Sequence, residues 1–135
     1  MTNRKTNYIP LTFFLLVISV TGCQKNVYST NGESIYRSGR NLQGVIMLDK
    51  SRSSITLFKS CQSCHGPSGD RMKQTLITYT GLSNPALYPV PYNDSAIICF
   101  LDHDLKSDGR KANIGVRWKM SEQDKKDLIE YLKKL

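Results

Sequence analysis

The chain has 135 residues, a formal charge of +8, 39% hydrophobic and 22% charged residues, and four cysteines. That length allows one domain with a modest core and excludes a large multidomain assembly. No phosphate-cradling glycine loop, activated nucleophile or paired general acid and base stands out, so nothing in the residues supports chemistry on a bound substrate.

The first element is a leader. Met1 to Asn7 carries Arg4 and Lys5 and no acid, and Ile9 to Val20 is apolar apart from Pro10, Thr12 and Ser19. The run is too short for a stable membrane span and has the length of an export-signal core. It ends in Val20-Thr21-Gly22-Cys23. A branched apolar residue, two small residues and a cysteine resemble the lipobox of bacterial lipoproteins. The resemblance implies cleavage before Cys23, diacylation of its thiol and acylation of the new amino terminus; several acyl chains anchor stably where one does not. An ordinary signal peptide with an incidental cysteine is the alternative. The predicted organisation is a leader over 1–22, a polar tether over 23–34 and one domain over 35–135, lipid-anchored to a bacterial membrane and facing the periplasm or cell exterior. Export argues against a nucleic-acid partner.

Ile35 to Asp49 reads as a short helix followed by an extended apolar stretch, Val45-Ile46-Met47-Leu48. Ser53 to Ser63 is expected to form the helix that enters Cys61-Gln62-Ser63-Cys64-His65. That string is C-x-x-C-H, the attachment sequence of a covalent c-type haem. Its thiols add across the two vinyl groups of one porphyrin and must lie a helical turn apart, and the imidazole of His65 becomes the fifth ligand to iron. A thioredoxin-like redox pair would want a βαβ context, and a zinc site a second close pair, for which Cys99 and His103 offer only a loose C-x3-H. The export signal supports the haem, because bacterial haem attachment takes place outside the cytoplasmic membrane. The mature surface stays basic after Arg4 and Lys5 leave. That charge serves solubility, attraction to anionic lipid heads, or docking of an acidic redox partner.

Gly66-Pro67-Ser68-Gly69 ends the attachment helix. Tyr79 to Tyr92 holds Pro85, Pro89 and Pro91, which exclude helix and central strand around them, and reads as a loop wrapping a porphyrin edge. Asn93 or Asp94 caps a helix running to about His103, with Cys99 as a small buried residue on it. Asp108-Gly109 marks a turn. Ser121 caps the last helix, whose Leu128, Tyr131, Leu132 and Leu135 share one face. The chain is predicted all-α.

With these residues placed, the chain resembles class I mono-haem cytochromes c over roughly Ile35 to Leu135. The resemblance is carried by Cys61-Gln62-Ser63-Cys64-His65-Gly66, the proline-rich loop, and Arg117-Trp118-Lys119-Met120-Ser121-Glu122 leading into Asp127-Leu128-Ile129-Glu130-Tyr131-Leu132. It implies three or more helices around one covalent haem, with the first and last helices crossing and Trp118 packing on the cofactor. Relatives place a Met-Pro a few residues before the last helix, its sulfur on the iron; here Gly115-Val116 stands at that position. Met120 and His103 are the remaining candidates for a distal ligand, with an open or otherwise ligated iron as the third; Met72 and Met47 are less well placed. The implied function is one-electron transfer in a respiratory or dehydrogenase-linked chain. The alternatives are a five-coordinate haem sensor or peroxidase-like enzyme, or the small electron-entry subunit of a larger oxidoreductase.

Overall fold

A computed structural model describes residues 27–135; the expected leader and Cys23 lie outside the described residues. Five helices follow in order: α1, Asn31–Ser38; α2, Cys61–His65; α3, Tyr79–Leu82; α4, Asp94–His103; and α5, Glu122–Leu132. Among the described residues there is no strand, only three isolated antiparallel bridges: Arg40 with Ile46, Leu48 with Trp118, and Leu105 with Lys111. The predicted all-α class holds.

Each longer helix starts where a side chain can satisfy its free amides. The Thr30 hydroxyl accepts from the Glu33 amide, Asn93 from the Ala96 amide, and Ser121 from the Asp124 amide. At α5 the Asp124 carboxylate also accepts from the Ser121 amide, completing a capping box. The first helix therefore takes in residues 31–34, which the sequence assigns to the tether.

The core is organised by the crossing of α1 over α5. A β-carbon on Gly32 would lie 2.0 Å from the Asp127 carbonyl oxygen and 2.9 Å from Cβ of Tyr131, so the backbones meet where only a glycine fits. One turn on, the rings of Tyr36 and Tyr131 pack 5.4 Å apart. Ile35, Tyr36, Met47, Leu128 and Ile129 are fully enclosed there. Asn31 ties the crossing together: its Nδ2 donates to Asp124 at 3.0 Å and Asp127 at 2.8 Å, and its Oδ1 accepts from the Leu42 amide. Lys125, 4% exposed, bridges α5 to the end of α4 through Asp102 at 2.7 Å and also meets Glu122.

Burial pushes the Asp124 carboxyl up, but donation from Asn31 and Ser121 outweighs it and holds the group below its ordinary 3.8. The folded state thus takes up this proton less readily than the unfolded chain. The stability it contributes is complete above the unfolded value and is lost as pH falls through the folded one. Thermal midpoints measured from pH 6 down to pH 2 (about two units below the model-peptide carboxyl value) are expected to fall less steeply in Asp124→Asn than in the wild type.

Residues 53–60 do not form the expected helix; only Cys61–His65 is helical. The serines there bind backbone groups outside any helix. Ser53 Oγ donates to the Asp49 carbonyl at 2.6 Å and accepts from the Arg117 amide at 2.9 Å, and the Ser51 amide donates to Asp49 Oδ1. The helix that crosses α5 is therefore α1, far upstream of the cysteines. Between them the chain makes a long loop closed at its base, where Gly39, at φ 69°, abuts the Lys59 backbone so closely that a β-carbon would overlap it. The loop runs alongside the segment before α5. The Asp49 amide donates to Arg117, the Lys119 amide to Met47, and the Ile55 amide to Gly115.

Two smaller differences follow local geometry. Tyr79–Leu82 forms one helical turn ahead of the prolines, capped by Thr78. Cys99 on α4 is half-buried rather than buried. The proline loop is closed at its base by the Tyr92 amide donating to the Leu82 carbonyl at 3.0 Å.

Candidate haem site

The attachment string occupies the single turn of α2. At i and i+3, Cys61 and Cys64 share a face. Gly66 closes the turn, its amide donating to the Gln62 carbonyl while its own carbonyl accepts from the buried Tyr36 hydroxyl at 2.7 Å. Gly66 holds φ 78°, a conformation that favours glycine, and a β-carbon there would crowd Arg71 at 3.0 Å. The chain then folds back: the Arg71 amide donates to the His65 carbonyl at 3.0 Å, and the Ile77 amide to Gly69 at 3.0 Å. Tyr36 thereby fastens α1 to the cysteine turn.

Cys61, Cys64 and His65 open on one cleft of about 710 Å³, within the roughly 300–1,000 Å³ of sites for small molecules and cofactors. Leu128 and Leu132 of α5, Ile97 and Leu101 of α4, and Leu82 of α3 also line it. A further wall is extended backbone. Ala112, Ile114, Val116 and Trp118 all line the cleft, the alternate-residue facing of an extended chain. Around the opening stand Ile55, Phe58, Met72, Leu87, Val90 and Ile114, all large, apolar and between 38% and 47% exposed. Six such side chains round one mouth are the mark of a surface that receives an apolar ligand.

The electrostatics discriminate among the readings of the two cysteines. Burial pushes the Cys61 thiol up to about 12 and raises Cys64 as well. A reactive redox pair needs the opposite shift, towards thiolate. Among the described residues no three His, Cys, Asp or Glu side chains group to hold a metal ion, and neither Cys99 nor His103 lines the cleft. The described residues therefore bring no second ligand pair to these cysteines. Burial lowers the pKa of His65 below its ordinary value, which keeps the imidazole neutral at pH 7, the form that ligates iron. Its Nδ1 is buried without a hydrogen-bond partner among the described residues. Neutral thiols, a neutral imidazole and an apolar mouth fit a haem whose faces are apolar and whose iron takes a nitrogen ligand.

Trp118 lies in the cleft wall and also borders a second depression. Met120 and His103 do not line the cleft. Both open on a separate, shallow depression with Val45, Arg52, Asp102 and Lys119, reached from the other side of Trp118. Met120 is held there because it precedes the Ser121 cap and packs on the core. Met72 does line the cleft, from the segment folded back onto His65. The sequence reading missed the wall formed by Ala112, Ile114 and Val116. The signal was present: small and apolar residues at every second position from 112 to 118.

A helical fold closed by a crossing of its first and last helices, around a cleft bearing C-x-x-C-H, defines a haem-binding protein of the c type. The cytochrome c family model matches residues 55–135, and the chain belongs to that family. No curated protein and no solved structure matches the chain. Membership implies haem c and haem-based electron transfer.

Proposed function

We propose that the protein is a one-electron carrier bearing a single haem c. The observation that supports this best is that Cys61, Cys64 and His65, on one turn, open on one apolar cleft. When bound, the group supplies a reversible ferric–ferrous couple. The chain's part is to hold and shield it. Cys61 and Cys64 would hold it through thioether bonds to its two vinyl groups. His65 presents a neutral nitrogen. Leu128, Leu132, Ile97 and Leu101, which line the cleft, would keep water off the buried faces, and Trp118 in its wall would pack against the group. Fixed surroundings mean little reorganises when the electron arrives.

The same reading places the protein outside the cytoplasm, lipid-anchored through Cys23, in a respiratory or dehydrogenase-linked chain. With α1 beginning at Asn31, only residues 24–30 separate the anchor from the fold, a reach of roughly 25 Å at about 3.5 Å per extended residue. The domain would ride close to the membrane surface. At the cleft mouth Arg110 is paired with Asp108 and Lys106 stands beside them; the chain's formal charge of +8 is what favours an acidic redox partner.

The test is made on the exported protein. Its pigment is expected to stay with the polypeptide in acidified acetone and to titrate as a single one-electron couple. Cys61→Ala with Cys64→Ala is expected to release any pigment to the solvent. A colourless wild-type product, or pigment extracted from it, rejects the proposal.

A further inference from the structure

Among the described residues, the large apolar side chains left exposed divide by place. Six stand round the cleft mouth, where the proposed cofactor accounts for them. Leu57 stands on the long loop. The other four fall within residues 27–46: Val27 is 94% exposed, Leu42 50%, Val45 51% and Ile46 36%. None of these four lines the cleft.

Leu42, Val45 and Ile46 sit on one tight turn whose polar groups are already used. Arg40 and Ile46 are bridged at its base. The Asn41 amide donates to the Val45 carbonyl at 3.1 Å, the Gly44 amide to the Asn41 carbonyl at 2.9 Å, and the Val45 amide to Asn41 Oδ1 at 2.9 Å. The Arg40 guanidinium donates to the Gly44 carbonyl at 2.9 Å. Gly44 makes the reversal at φ 83°, with open space around it. The next two residues, Met47 and Leu48, are enclosed in the core, and Leu48 is bridged to Trp118. A turn so bonded is rigid, and it can enter an apolar medium without stranding these amides.

The occupant follows from where the chain leaves the fold. The Leu42 amide donates to Asn31 Oδ1 at 2.9 Å, and Asn31 is the first residue of α1. The turn is thereby fixed beside the end of the tether, residues 24–30, whose reach from Cys23 is roughly 25 Å at about 3.5 Å per residue. Acyl chains on Cys23 would hold the turn within reach of a bilayer. Charge agrees with that surface. Arg40 and Lys119 are exposed, and Lys119 shares the depression beside Trp118 with Val45. The carboxylates nearby are engaged: Glu33 with Arg37, Asp49 with Arg52, Asp102 with Lys125, and Asp124 and Asp127 with Asn31. Cations beside exposed aliphatic side chains suit an interface of anionic lipid heads over acyl chains.

We infer, on the reading that Cys23 is acylated, that Leu42, Val45 and Ile46 insert into the interface of an anionic bilayer, with Arg40 and Lys119 among the lipid heads. The lipid anchor sets only the distance between domain and membrane. This second contact sets which face of the domain meets it.

The test uses the full-length processed holoprotein in phosphatidylcholine–phosphatidylglycerol vesicles that contain a phospholipid with a photoactivatable acyl chain. After irradiation the protein is digested with trypsin; cleavage after Arg40 and Lys50 isolates residues 41–50 as one peptide. Lipid adducts are expected to concentrate on that peptide. In Leu42→Glu with Val45→Glu they are expected to be lost, while the visible spectrum, the thermal midpoint and retention on the vesicles stay as in the wild type. Leu42→Gln with Val45→Thr, a milder change at the same exposed positions, is expected to reduce them. Adducts absent from 41–50 in an acylated wild type overturn the inference alone, as do adducts concentrated instead on 74–106, the peptide that carries Leu87 and Val90 of the cleft mouth. Adducts that persist undiminished in both double variants overturn it as well. Mass spectrometry of the amino-terminal peptide establishes the acyl chains; a Cys23 without them overturns this inference together with the anchor reading and leaves the carrier reading intact.

Discussion

Freed of haem, the polypeptide is expected to lose its cooperative unfolding transition. The physical reason is at the mouth of the cleft. Ile55, Phe58, Met72, Leu87, Val90 and Ile114 stand there partly exposed, and complete burial of such a side chain is worth about 1.5–3 kcal/mol. Covering the remaining exposure on six of them contributes about 6 kcal/mol, at roughly 1 kcal/mol each. That is comparable with the whole stability of a small domain, about 5–15 kcal/mol. The cleft behind them, about 710 Å³, would also have to collapse or fill with water against Leu128 and Leu132. The measurement is thermal circular dichroism of the Cys61→Ser, Cys64→Ser chain purified without haem, beside the holoprotein. A broad, sloping melt with reduced helix signal is expected; a sharp transition at the holoprotein's temperature would show that the chain builds its core unaided.

Gly32→Val is expected to be the most damaging single substitution away from the cleft. The atoms a β-carbon would meet are the Asp127 carbonyl, at 2.0 Å, and Tyr131 Cβ, at 2.9 Å. These belong to the α5 backbone and the root of a side chain, so neither can swing aside. The helices must separate, and the Tyr36–Tyr131 contact and the Asn31 bonds to Asp124 and Asp127 go with them. Overpacking a closed core costs about 1–3 kcal/mol, and loss of the linked contacts carries this case to the upper end of that range or past it. The urea midpoint of the holoprotein reads the effect. An unchanged midpoint would mean that α1 does not sit on α5 in this way. Because Tyr36 also holds the Gly66 carbonyl, the variant is expected to broaden the haem's visible bands as well.

These effects differ in how far they can be read without coordinates. C-x-x-C-H, the Asn93 and Ser121 caps, the Asp108-Gly109 turn and the apolar face of α5 are legible from neighbouring residues, because each depends on contacts within about one helical turn. The same local rules failed at Ser53–Ser60. Ile55, Leu57 and Phe58 look like a helix face, but Ser53 is bound to Arg117, 64 positions away, and local patterning carries no trace of that bond.

The sequence by itself determined the cofactor class, the all-α character and the placing of Cys61, Cys64 and His65 on one turn, since side-chain chemistry and helix periodicity act over short stretches. Tertiary structure alone decided that α1 is the partner of α5, that Met120 and His103 stand beyond Trp118, and that the loop through Ile55 fills the space beside Gly115. Those outcomes depend on which distant segments compete for the same volume, and packing settles that only once the whole chain is in place.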